Sequence, residues 1–159
     1  VATLAPNPDE AKRIDLALKE WRQGDLALDE RWFVHVGDAS APLTETAAQH
    51  DVGGIQAFTS DVDGLVMVTQ TCDIVRSCTI RPYVEVAPLM QVNEDDWRAV
   101  KRGRRPAHAT LPSLEKDRLV ADLDRVMTVE KSVAATWKRT PGHTNDADGR
   151  AFAQALARK

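Results

Sequence analysis

Five consecutive residues, Thr69-Gln70-Thr71-Cys72-Asp73, are the most distinctive candidates for chemistry in this chain. They close the apolar run that starts at Leu65, and a strand end crowded with polar side chains is a common place for a site. As a nucleophile, Cys72 would act as its thiolate and need a base, for which His35 and His108 are the candidates. Asp73 and Arg81 would complete such a centre. The alternative is structural: a small buried cysteine, with Asp73 capping the following turn. No local signature joins Cys72 to a histidine.

A second candidate is the basic run Lys101-Arg102-Gly103-Arg104-Arg105, with Trp97 before it and His108 after it. Arginine forks beside an aromatic suit a phosphate backbone, so Arg102, Arg104, Arg105 and His108 are candidate binding residues. Glu94, Asp95 and Asp96 stand just upstream, and a solvated helix end followed by a basic loop explains the run equally well. Cys72 and Cys78 are spaced wider than a structural zinc knuckle, and the histidines do not pair at helical spacing, so no metal is expected. Asp122 and Asp124, two apart, would share one face of a strand, as acid-base or magnesium pairs do. Four tryptophans accompany one tyrosine; burial is expected for each, and two exposed ones would mark an interface.

Several elements must position these groups. Asn7, Pro8, Asp9 and Glu10 form a helix start, followed by Ile14, Ala17, Leu18 and Trp21 on one stripe until Gly24. Short strands are expected at Asp25 to Leu28, and at Trp32, Val34 and Val36 alternating with Phe33 and His35. Residues 37–63 are long for a loop and are either functional or hold a short unread element. Strands follow at Leu65 to Thr71 and Tyr83 to Leu89. A helix is expected from Asn93, strands at His108 to Pro112 and Leu119 to Leu123, and helices over Val129 to Trp137 and Asp146 to Leu156.

The chain has 159 residues, 43% hydrophobic and 28% charged, with a net charge of -3. This composition excludes a disordered chain, and its length suits one domain. No apolar run could span a bilayer, and residues 1–6 lack the pattern of a secretory leader. Two cysteines build no disulfide framework, so a reducing, cytoplasmic setting without membrane or cofactor is expected. An acidic balance excludes coating nucleic acid by charge alone. Short strands with helices between and around them imply α+β, economically arranged as a small, bent antiparallel barrel.

Three segments in order resemble the PemK/MazF-like toxin superfamily, whose fold is an SH3-like barrel. They are Trp21-Arg22-Gln23-Gly24-Asp25-Leu26, then Gly64 to Ile74 followed by Tyr83-Val84-Glu85-Val86-Ala87-Pro88-Leu89, and last Val120 to Lys131. The Thr-Gln-Thr-Cys-Asp-Ile stretch is also similar to bacterial proteins with a Ser/Thr-Gln-x-Cys-Asp-Ile signature, associated with mobile elements and phage defence. The resemblance implies one domain over 1–159: an N-terminal helix over 1–23, a barrel over 24–130, and C-terminal helices over 131–159. By analogy it implies a homodimer. It also implies an Arg-Pro pair before the central strand and a Thr or Ser after the Ala-Pro strand, the groups those ribonucleases use. Here Asp61-Val62-Asp63-Gly64 and Leu89-Met90 stand at those places, and the Arg-Pro pairs are Arg81-Pro82 and Arg105-Pro106.

The preferred expectation is therefore a non-catalytic barrel that binds a protein partner, RNA or DNA in a bacterial mobile-element, toxin-antitoxin or defence system. One alternative is a divergent endoribonuclease or Cys/Asp hydrolase using Cys72 and Asp73, with Thr69, Gln70, Thr71, Arg81 and His108 around them. Another is a small-ligand sensor using the polar strand end as a pocket.

Overall fold

The structure is a computed structural model and describes residues 6–159. The leader reading therefore falls mostly on residues 1–5, outside the described ones. Helix α1 (Pro8–Leu18) starts as the sequence dictates: the Asn7 side chain accepts the Asp9 N–H at 3.0 Å. Its stripe of Ala11, Ile14 and Leu18 is buried, and the helix ends at Leu18 rather than at Gly24, leaving Trp21 buried beyond it.

The remaining elements are β1 (Leu26–Ala27), β2 (Trp32–Asp38), α2 (Glu45–Ala48), β3 (Ile55–Asp61), β4 (Leu65–Met67), α3 (Thr71–Ile74), β5 (Tyr83–Gln91) and α4 (Glu94–Lys101). They continue through β6 (His108–Ala109), β7 (Leu119–Asp122), β8 (Met127–Glu130), α5 (Lys131–Ala134) and α6 (Asp146–Arg158). The class is α+β. The main sheet has the order β1-β4-β5-β7-β6, with β8 also paired to β5, and β2 and β3 form a separate ribbon. Every pairing is antiparallel.

These sheets are not closed into a barrel. The main sheet ends in β1 and β6, each two residues long, which are not paired to one another. Both of its faces are covered. Leu65, Met67, Val84, Val86, Met127 and Val129 pack with α1, Trp21, Phe33 and Trp137. The alternate residues Val66, Val68, Ala87, Leu89 and Ala121 pack with Leu114 and with Phe152 of α6. Burial on both faces is why Leu65 to Val68 reads as an unbroken apolar run.

Long β5 carries two successive partners on one edge, β8 beside Tyr83 to Val86 and β7 beside Leu89 to Gln91. Between them stands Pro88, which has no N–H to give, and Leu123 to Val126 loop away at that point. Leu89 meanwhile donates to Gly64 at 2.8 Å and accepts from Asp63 at 2.9 Å on the other edge.

One expectation resolves to its second alternative, short elements within residues 37–63, and three others need correction. Residues 37–63 hold α2 and β3, and β3 pairs with β2 along seven positions. On β2 the deeply buried residue is Phe33, while Val36 faces solvent. The apolar run from Leu65 is a strand only to Met67, and Thr71 begins a helical turn. Val129 and Glu130 extend a strand, and the helix starts at Lys131. Trp21, Trp97 and Trp137 are buried and Trp32 is partly buried; Trp21 and Trp32 lie 6.5 and 6.4 Å from Trp137 by ring centroid.

Lys131 is 1% exposed, and its ammonium donates to the carbonyls of Asp73 at 2.8 Å and Arg76 at 2.6 Å. Burial pushes this lysine below its usual value, against the opposing charges of Asp15, Cys78 and Asp73. For Asp15 burial pushes upward, but the Cys78 N–H, the Ser77 and Cys78 side chains and Lys131 outweigh it and hold the carboxyl low. Burial, with Asp15 alongside, raises the Cys78 thiol.

Two outcomes follow from this cluster. Lys131→Met, which strands both carbonyls, is expected to destabilise the fold by about 2 kcal/mol in urea denaturation. A depressed carboxyl stabilises above its unfolded value of about 4 and loses that contribution as pH falls through the folded value. Asp15→Asn is therefore expected to flatten the acid limb of the stability profile, read as melting temperature against pH.

Candidate functional site

The threonines and the aspartate of the Thr-Gln-Thr-Cys-Asp corner already have partners. The Thr69 hydroxyl accepts the Glu85 N–H at 2.6 Å, and Thr71 accepts the Gln23 N–H at 3.1 Å. Gln70 and Cys72 are exposed, with the thiol 3.8 Å from the Gln70 carbonyl oxygen. Asp73 faces Arg76 at 3.4 Å and Arg81 at 3.8 Å, so the structure brings Asp73 and Arg81 together. No histidine is among the hydrogen-bond partners of Cys72 or Asp73 in the described residues. The expected buried cysteine is Cys78 instead, whose N–H donates to Asp15 at 2.8 Å.

The basic run lies elsewhere. Helix α4 begins at Asn93, whose side chain accepts the Asp96 N–H at 2.8 Å, and it ends as the charges begin. Arg105 turns back to pair with Asp96, and Lys101 pairs with Glu115 at 2.8 Å. Arg102 and Arg104 are exposed and form no ion pair among the described residues.

Beside this run, at the β6 edge of the sheet, is a cavity of about 540 Å³. Trp97, Val100 and Lys101 of α4 line it, with His108 to Pro112 on its floor and Ala151, Ala155 and Arg158 of α6 opposite. Arg105 also reaches it, whereas Cys72, Asp73 and Arg81 do not. The sequence candidates therefore fall into two places: His108 and Arg105 share the cavity, and the Cys72 corner stands apart.

Two buried side-chain atoms, His108 Nδ1 and Thr110 Oγ1, have no hydrogen-bond partner among the described residues, and both residues line the cavity. Buried polar atoms are nearly always paired; these two are closed even to water, so it is other atoms of His108 and Thr110 that line the cavity. Thr110 was not a sequence candidate. No signal short of the fold distinguishes it from any other threonine near a strand.

Other groups have structural work. Strand β7 ends at Asp122, whose carboxylate accepts from Asp124 N–H at 3.1 Å and Arg125 Nε at 2.7 Å, so Asp122 and Asp124 do not share a strand face. Asp25 of the Gly-Asp pair is 2% exposed, and its carboxylate accepts from Arg22 N–H at 2.7 Å and Arg139 Nε at 2.5 Å. Among the described residues no three His, Cys, Asp or Glu side chains gather into a metal-binding cluster. Nor is any helix among them long and apolar enough to cross a membrane.

No model of a known protein family matches this chain, and no curated protein matches it either.

The contrast between the two cysteines is directly measurable. Titration of the native protein with a thiol reagent is expected to consume one thiol quickly, that of Cys72. Cys72→Ala is expected to remove the fast phase and change stability by less than about 0.5 kcal/mol.

Proposed function

We propose that this chain is a non-catalytic binding module whose site is the cavity between α4, β6 and α6, occupied by a small organic ligand. The observation that carries this reading is the cavity itself, a single space lined jointly by side chains of α4, of residues His108 to Pro112 and of α6, with Arg105 and Arg158 among them. The volume of about 540 Å³ falls within the range of small-molecule sites, and its walls mix apolar surface with a few polar groups. Of the readings the sequence raises, this is the small-ligand one, moved from the Cys72 corner to the β6 edge.

The kinship to PemK/MazF-like barrels enters as part of the same proposal: an opened relative of the SH3-like barrel, in a bacterial mobile-element or defence setting. Its support is the order of motifs, with Gly24-Asp25 before β1, Ala87-Pro88 in β5 and Thr128-Val129-Glu130-Lys131 at the β8–α5 junction. A hydrolytic centre finds no comparable support, because the polar groups around Cys72 already have partners.

A thermal-shift screen of small polar and amphipathic compounds tests the reading. Compounds that raise the melting temperature should do so in Cys72→Ala and lose their effect in Ala155→Trp, which fills the cavity. In the free protein, Thr110→Val removes an unpaired buried hydroxyl and should leave stability unchanged or raise it by about 1 kcal/mol. Undiminished binding to a folded Ala155→Trp would end the proposal.

A further inference from the structure

Helix α6 presents Asp148, Ala151, Ala155 and Arg158 to the cavity, at spacings of three, four and three. That is one continuous stripe over about 15 Å of helix, with small residues in the middle and charges at its ends. The alanines leave space where larger side chains would fill it. The charges at the two ends are differently employed.

Asp148 belongs to the helix start. Its N–H is accepted by the Asn145 side chain at 2.9 Å, and the Asn145 amide donates back to its carboxylate at 2.6 Å. The other charged groups of the lining are compensated too, Lys101 by Glu115 and Arg105 by Asp96. Arg158 forms no ion pair among the described residues. It is the one charged side chain of the lining left without a partner, and it is a cation with a planar fork suited to an oxyanion.

We infer that the ligand is a small organic anion. Its carboxylate or phosphate meets Arg158, and its apolar body lies along Ala151 and Ala155 against Val100 and Leu111, with His108 beside it. This rests on the cavity reading above and adds the charge and shape of the occupant. A neutral molecule would leave Arg158, which is exposed, to water alone. An inorganic anion would leave the apolar walls wet.

The test uses matched probes on the full chain: indole-3-acetate, its neutral amide indole-3-acetamide, phenyl phosphate and inorganic phosphate. Affinity is measured by calorimetry, with the His108 ring resonances followed by NMR. The expected result is that at least one organic anion perturbs His108 and binds about tenfold more tightly than the neutral amide. Its affinity should fall as salt is added. Arg158→Gln should bring that anion down to the level of the amide without changing amide binding, and Arg158→Lys should restore part of the difference. Preference for the acetate or the phenyl phosphate identifies which oxyanion the site favours.

Equal binding of acid and amide to the natural protein would overturn the anion and leave the cavity reading standing, as would an unchanged ratio in Arg158→Gln. Inorganic phosphate binding as tightly as the organic anions would remove the apolar body from the inference. Silence of every probe at millimolar concentration, with His108 unmoved, would sink the cavity reading as well.

Discussion

The buried ammonium of Lys131 holds together parts of the chain that no sheet pairing joins. Helix α3 is a single turn, too short to close its own carbonyls, so the C=O groups of Asp73 and Arg76 need donors from elsewhere. One flexible side chain supplies both bonds from the start of α5, directly after β8. Asp15 of α1 lies close enough for its charge to favour the ammonium, and its carboxylate takes the Cys78 N–H on the same loop. The α1 helix, the corner after β4 and the β8–α5 junction thus converge on one cation. An apolar residue there would bury as well but could not answer the carbonyls.

The sheet beside that corner is open, its end strands β1 and β6 not paired to one another. Strand β4 is buried on both faces, α1 and the tryptophans covering one and α6 much of the other. Pro88 interrupts the ladder of β5, and the chain opposite it loops out before resuming pairing. The outcome is an open sheet whose last strand, β6, is two residues long. Helix α4 packs Trp97 and Val100 against Val120 of β7, while α6 packs Phe152 against the opposite face. The space between the two helices at the β6 edge is the cavity. It follows from the topology: a longer β6 or a closed sheet would leave no gap to line.

Legibility in the sequence tracked how strongly each segment is amphipathic. Helices α1 and α4 carry asparagine caps and acidic first turns, and α6 carries an asparagine cap and an apolar side, so all three were read close to their places. Strand β5 alternates and was read as well, short of its last two residues. Strand β3 was missed because it lies in a ribbon with little beneath it, and only Phe58 among its residues is deeply buried. Val129 and Glu130, the second half of β8, read as helix because the strand runs directly into α5, and two alternations are too few to outweigh a neighbouring helical pattern. At the site, His108 and Arg105 were readable from the basic run. Thr110 and the α6 stripe were not, since their relevance comes from helices distant in sequence.

The two candidate regions separate residue type from chemical availability. The Cys72 corner holds a thiol, a carboxylate, two hydroxyls and an arginine pair, a composition that invites a mechanism. Yet the threonines cap backbone N–H groups, the aspartate faces two guanidinium groups, and the carbonyls answer to Lys131. A group already bonded must give up that bond before it can act, which costs roughly what the bond contributes. At the β6 edge the residues are ordinary: one histidine, one threonine, two alanines and an arginine on a terminal turn. Of these, Arg158 has no ion pair among the described residues, and it lines a space that a molecule can enter. The plainer cluster, with an open space and an unpaired cation, is therefore the site we propose.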